Sequence, residues 1–237
     1  MAASPADTLR HGLDQLGLDY TPAMHTNLLA YLALLEKWNK TYNLIGTSKS
    51  NDGAGSPSDD TASGDNSADI SNTIVSHHLL DSAAINHLLR GHRLLDVGTG
   101  AGLPGIPLAI LNPNKHFILL DSNGKKTRFL QQAQTDIPLP NIQIEKCRIE
   151  NYKPHEQINM MLCRAFAPLP ELLNKVQTLT AAGVPLLAMK GHHPQQEIDA
   201  LPQDCTIQHI EKLSVPSLKA ERHAIMLSHS PMNEENP

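Results

Sequence analysis

Leu94-Leu95-Asp96-Val97-Gly98-Thr99-Gly100-Ala101-Gly102-Leu103-Pro104-Gly105-Ile106-Pro107 is a short apolar run that passes into a glycine loop and then a helix start. A strand, a glycine loop and a helix in that order are the parts of a nucleotide-type site, because glycine lets the chain turn tightly and a ligand approach the backbone. Two spacings coexist. Gly98, Gly100 and Gly102 form GxGxG, whereas Gly100, Gly102 and Gly105 form GxGxxG, the dinucleotide pattern. Asp121 stands near the distance at which the dinucleotide pattern expects a ribose-binding acid.

Asp96, at the strand end, bears on the choice. A dinucleotide would bring two phosphate charges here, and a carboxylate beside them would repel them. S-adenosylmethionine has no phosphate and carries a cationic amine and a cationic sulfonium, which a carboxylate favours. On that reading Asp96 and Gly100 belong to the cofactor site, and Asp121 accepts hydrogen bonds from the two ribose hydroxyls. The bland alternative is a tight turn in which Asp96 caps the next helix.

Outward from the loop, short apolar runs alternate with helical stretches: Arg93–Val97, His116–Asp121, Asn141–Cys147, Ile158–Cys163 and Pro185–Lys190. That alternation predicts a parallel sheet with crossover helices. Thr206–Val215 and His223–Ser228 follow with no long helix between them, which predicts an antiparallel closing pair. Upstream, 5–17, 22–38 and 72–90 read as helices; in the second, Leu28, Leu32, Leu35 and Trp38 form an apolar stripe, and Thr21-Pro22 supplies a cap. Segment 49–70 is Ser, Asp, Gly, Asn and Ala with almost no large apolar side chain, and it is expected to be a disordered loop. The expected organisation is a helical cap over 1–92 and a core over 93–237. The expected fold class is α/β, a Rossmann-like class I methyltransferase fold with a twisted, mostly parallel seven-stranded sheet.

Of the 237 residues 40% are hydrophobic, enough for a sizeable core, and no apolar run is long enough to span a membrane. The N-terminus shows no signal-peptide pattern, so the expected location is cytoplasmic. Cys147, Cys163 and Cys205 are far apart and in no CxxC pair, which suits reduced thiols rather than a disulfide framework or a zinc site. The pairs His77-His78 and His192-His193 point different ways from a helix, and no metal is expected. The formal charge is −5, and segment 51–70 alone holds Asp52, Asp59, Asp60, Asp65 and Asp69 and no Lys or Arg. The remaining body is near neutral, which neither supports nor excludes RNA.

The acceptor chemistry can be narrowed. Amine methylation usually uses an Asn-Pro-Pro-aromatic loop after the fourth strand, and that position reads Cys163-Arg164-Ala165-Phe166-Ala167-Pro168. Methylation at cytosine C5 uses a cysteine nucleophile beside a proline, and no cysteine here has a proline neighbour. An acceptor with a free lone pair, such as guanine N7, needs only positioning and electrostatics, which fits the missing base.

These residues resemble the bacterial small-subunit ribosomal RNA guanine-N7 methyltransferases, the glucose-inhibited division protein B family. The matching stretches are Lys37–Leu44, His78-Leu79-Leu80-Asp81-Ser82, Asp96–Pro107, Leu120-Asp121-Ser122, Lys125-Lys126, Arg128-Phe129-Leu130, Arg164–Ala167, Lys190-Gly191 and Glu221-Arg222-His223. The resemblance implies methyl transfer from S-adenosylmethionine to N7 of one guanine in 16S ribosomal RNA, naked or in the small subunit. It also implies a cofactor site at Gly98, Leu103, Ile149, Glu150 and Arg164, with Arg164 at the transfer centre in a positioning and electrostatic role. Two departures stand out. Segment 51–70 is inserted where the family has a short connection, and His77 occupies a position where it commonly has Arg or Lys. A nicotinamide-dependent oxidoreductase, a non-catalytic RNA-binding protein and a methyltransferase of another RNA or a small molecule remain the other readings.

Overall fold

Strand β1, Arg93–Val97, has Leu94, Leu95, Asp96 and Val97 all buried, the mark of a strand covered on both faces. The computed structural model describes residues 3–45 and 67–229. Six further strands join β1: β2 (His116–Leu120), β3 (Ile142–Glu145), β4 (Met160–Arg164), β5 (Leu186–Lys190), β6 (Cys205–Lys212) and β7 (His223–His229). Their order is β3-β2-β1-β4-β5-β7-β6. β1 to β5 are parallel, and β7 runs antiparallel between β5 and β6, as expected of the closing pair. The order reverses between β1 and β4, so the loops leaving their carboxyl ends part there and open a crevice.

Alternate side chains divide into two cores. Leu94, Phe117, Leu119, Met160 and Leu162 face helices α5 (Gly105–Leu111) and α6 (Gly124–Asp136) and the N-terminal helices. Leu95, Val97, Ile118, Leu120 and Met161 face α7 (Leu169–Ala181). A short helix, α8 (Gln195–Asp199), precedes β6.

The N-terminal helices α1 (Pro5–Gln15) and α2 (Pro22–Tyr42) start on side-chain caps, Ser4 and Thr21, each followed by proline. α2 runs four residues past its expected end and stops where Asn43 turns left-handed, with φ 47°. Its Tyr31 is buried and donates to the Ala101 carbonyl at 2.6 Å, tying the cap to the glycine loop.

Two expectations need correction. Residues 67–70, placed in the disordered loop, form the first turn of α3 (Ser67–Ile74), where Asp69 suits the helix N-terminus. The rest of that loop, from 49 to 66, lies outside the described residues. The helix expected over 72–90 is not one helix: α3 passes into a π-helical stretch, Val75–Leu80, then α4 (Asp81–Ala83) and a 3-10 turn, Asn86–Leu88. Wide π turns often mark functional sites, and this one carries His77 and His78 to the crevice.

Candidate active site

Two cavities occupy the crevice and meet at Gly98, with Lys126 and Ala165 shared by both. The larger, about 490 Å³, is lined by Leu103, Gly100, His77, His78, Asp81, Arg164, Lys190 and Arg222 among others. The smaller, about 400 Å³, is lined by Asp121, Ser122, Ile149, Glu150 and Phe166 among others. Every expected cofactor residue except Asp96 therefore reaches one cavity or both.

Asp96 is fully enclosed under the loop. Its Oδ2 accepts from the Thr99 hydroxyl at 2.6 Å and from the Gly105 amide at 2.8 Å, the first residue of α5. So Asp96, expected as a ligand carboxylate, is turned under the loop, where it caps the helix and lines neither cavity. Its Oδ1 is buried without a partner. The same cap decides between the two glycine readings. A diphosphate would need the free amides at the start of α5, but Asp96 already holds that of Gly105, the Ile106 amide bonds the Gly102 carbonyl, and Pro107 has none.

Burial pushes the Asp96 carboxyl up to about 6, against the pull of Thr99, Gly105 and Arg164. An acid raised in the fold is favoured protonated, so its penalty is absent below its unfolded value, grows as pH rises toward 6 and is complete above it. The shift corresponds to about 3 kcal/mol. Asp96→Asn is expected to gain stability over the original chain, by up to that amount, between about pH 4 and pH 7. Urea unfolding of both proteins at the two pH values checks it, and a difference that stays flat with pH would refute it.

Asp121, 6% exposed, directly follows β2 and lines the smaller cavity. Its Oδ2 accepts from the Gly100 amide at 3.0 Å, its Oδ1 from the Asn123 amide at 2.8 Å, and Lys126 Nζ stands 3.7 Å away. Gly98 has φ +67°, and a Cβ there would fall 2.2 Å from the Phe166 ring. Gly98→Ala would thus meet backbone strain of about 1–3 kcal/mol and displace Phe166. A loss of S-adenosylmethionine affinity of about tenfold or more is expected by calorimetry; unchanged affinity would contradict it. Ile149 is buried in the floor, and Glu150 lies at the rim, 3.3 Å from Lys175 Nζ.

Arg164, at the end of β4, is bound within the larger cavity. NH1 donates to Asp81 Oδ2 at 2.9 Å and to the His77 carbonyl at 3.3 Å, and NH2 donates to His78 Nδ1 at 3.1 Å. Arg222 Nε donates to the other Asp81 oxygen at 3.0 Å. Burial, then the Arg164 charge, takes His78 down to about 3, so it is neutral and can accept. Burial and Arg222 lower His77 as well, so the imidazole supplies no fixed charge in place of the expected Arg or Lys. Lys190 is committed to Glu197 at 2.7 Å and the Ala167 carbonyl at 3.0 Å. Cys163 is buried in the strand with its thiol pushed up by that burial, which suits a core residue and not a nucleophile.

Asp81 and Arg222 are the members that sequence reasoning undervalued. The sequence places both within stretches that resemble the family, His78-Leu79-Leu80-Asp81-Ser82 and Glu221-Arg222-His223, without giving either a role. The available signal was weak: an Asp three residues after a His, and an Arg before the last strand.

The model for the family described as GidB, rRNA small subunit methyltransferase G, matches residues 66–226. A protein of Nitrosococcus oceani named ribosomal RNA small subunit methyltransferase G is 43% identical over 92% of this chain and 92% of its own. One of the same name from Pseudomonas syringae pv. syringae is 39% identical over 94% of each chain. A solved structure of an NADB-Rossmann superfamily protein from Streptococcus agalactiae superposes with a TM-score of 0.51 over 65% of this chain and 69% of that one. At 14% identity that likeness bears on the fold alone. The core strands, the capped glycine loop and the relatives agree, and the chain belongs to the GidB family, rRNA small subunit methyltransferase G.

Proposed function

We infer that this chain transfers the methyl group of S-adenosylmethionine to N7 of a guanine in 16S ribosomal RNA. The observation that carries the reading is the state of the larger cavity's carboxylate. Asp81 has each oxygen held in an ion pair with a guanidinium group, so among the described residues the larger cavity presents no unpaired carboxylate to an acceptor that must lose a proton. When bound, the cofactor supplies an electrophilic methyl: the N7 lone pair forms the new N–CH3 bond as the S–CH3 bond breaks with its electron pair on sulfur, and the ring gives up no proton.

The residues fit the cofactor. Asp121 offers a carboxylate to the ribose hydroxyls, Ile149 an apolar floor to the adenine, and Gly98 and Gly100 a wall without side chains. Asp96 places a buried negative charge below the loop, which favours a cationic ligand. The larger cavity, with Arg164 and Arg222, is left for a guanine swung out of its stack. A ribosomal substrate implies the cytoplasm; no helix among the described residues is long and apolar enough to cross a membrane.

The test is methyl transfer from labelled cofactor to small ribosomal subunits and to naked 16S RNA, both from cells lacking this protein. Chain cleavage specific for N7-methylguanine then maps the site. One stoichiometric methyl at one guanine is expected, and the preferred form of the RNA identifies the substrate. Cofactor binding without transfer to either RNA would overturn the assignment.

A further inference from the structure

Among the described residues lining the larger cavity, Asp81 is the one carboxylate, against the cations Lys126, Arg164, Lys190 and Arg222. Lys126 faces Asp121, and Lys190 is bonded to Glu197. Among the described residues, Arg164 and Arg222 both make their ion pair with Asp81, whose side chain is 3% exposed. The three come from distant parts of the chain: α4, the end of β4 and the residue before β7.

The hydrogen-bond inventory shows what the sharing leaves over. Of the five N–H groups of a guanidinium, Arg164 spends three on Asp81, the His77 carbonyl and His78. Arg222 spends two, on Asp81 and the Glu221 carbonyl. Both side chains remain partly exposed, 16% and 19%, in a wall that also lines the cavity. Taken by themselves, these three side chains sum to one positive unit, since one carboxylate offsets one of two guanidiniums. Guanine presents O6 beside N7 on one edge, and O6 is an acceptor. Donors on O6 would hold N7 toward the glycine loop. The same donors, if fully charged, would oppose the positive charge that arrives on the ring with the methyl.

We propose that Asp81 is a positioning and charge-balancing residue for the acceptor: one carboxylate shared by Arg164 and Arg222 holds their free N–H groups for guanine O6 and offsets one of the two guanidinium charges that oppose methylation of N7. The inference rests on the guanine-N7 reading given above. A carboxylate that merely stapled the N-terminal helices to the strand ends would make the same bonds, but it would respond differently to a change in charge. Asp81→Asn leaves two positive units in the wall, and Asp81→Asn with Arg222→Gln restores one.

The experiment compares the original chain, D81N, the double variant and D81E. It reads single-turnover methyl transfer to small subunits, affinity for those subunits, affinity for S-adenosylmethionine, and melting temperature, all below the lowest melting point. D81N is expected to transfer about 100-fold more slowly, with cofactor affinity within about threefold and subunit affinity held or tightened by the extra positive charge. The double variant is expected to recover about tenfold of that rate, because the charge is rebalanced. D81E, which keeps the charge and changes the length, is expected to stay within about tenfold of the original and reports even if D81N does not fold. The proposal is overturned if D81N transfers normally, if it loses rate and subunit affinity together, if the double variant is slower than D81N, or if D81E falls as far as D81N. Should the original chain place no methyl on N7, it is the guanine-N7 reading that fails; a methyl on N7 without this pattern fails Asp81 alone.

Discussion

Arg164→Ala is expected to lower single-turnover methyl transfer by about three orders of magnitude, the upper range for removing a preorganised donor from a site where charge develops. The side chain leaves the end of β4 at the crevice and is fixed by three groups of the N-terminal helices, Asp81, the His77 carbonyl and His78. Removing it takes one of two cations from a nearly buried carboxylate, and a buried pair broken on one side typically costs about 3–5 kcal/mol. Because Arg222 keeps the other Asp81 oxygen, the lower end is expected, seen as a reduced melting temperature that S-adenosylmethionine only partly restores. Arg164→Lys keeps the charge but not the planar fork, which cannot then meet Asp81, His77 and His78 at once. It is expected to fall between the two, about 30-fold to 300-fold below the original chain. If Arg164→Ala transfers methyl within tenfold of the original, Arg164 is a structural staple and the acceptor site lies elsewhere.

The parts of this site that could be read from the sequence are those made by neighbours in the chain. The strand Leu94–Val97, the glycine loop and Asp121 at the next strand end follow from local pattern, and the structure places them in one crevice. Local pattern could also state the alternatives for Asp96 without choosing: ligand carboxylate or helix cap. The choice depends on whether the side chain turns under the loop, which is a matter of the Thr99 hydroxyl and the Gly105 amide. What could not be read is the Asp81 cluster. Its ion pairs join residues 83 and 141 positions apart, and no periodicity of 2 or 3.6 reports such pairs. The π-helical stretch that presents His77 and His78 is likewise invisible, because its apolar residues still fit a helical stripe. The start of α3 is hidden for a related reason: Ser67, Ala68 and Asp69 have the composition of the loop before them, and the helix is stabilised by packing further along, through Ile74 and Val75.

Asp121 carries the other large effect, on the cofactor rather than on transfer. Each carboxylate oxygen already accepts one backbone amide, that of Gly100 or Asn123, and each keeps a further lone-pair direction. Two acceptors fixed side by side match the two hydroxyls of a ribose, and no side chain needs to reorganise to meet them. Asp121→Ala removes both and also frees the Gly100 amide, so the loop loses its tie to β2. A loss of S-adenosylmethionine affinity of about 100-fold is expected, equivalent to about 2.7 kcal/mol. Asp121→Asn keeps the shape but turns an amide group toward one of the two backbone donors, and about tenfold is expected. Titration calorimetry with S-adenosylmethionine and S-adenosylhomocysteine measures both variants, and equal losses for the two ligands are expected because Asp121 addresses the ribose they share. A nicotinamide dinucleotide also carries ribose, yet it is expected to show no heat with any of these proteins, since the amide of Gly105 that its diphosphate would need is held by Asp96. Dinucleotide binding that Asp121→Ala abolishes would return the site to the GxGxxG reading. Cofactor affinity that survives Asp121→Ala would move the ribose away from the end of β2.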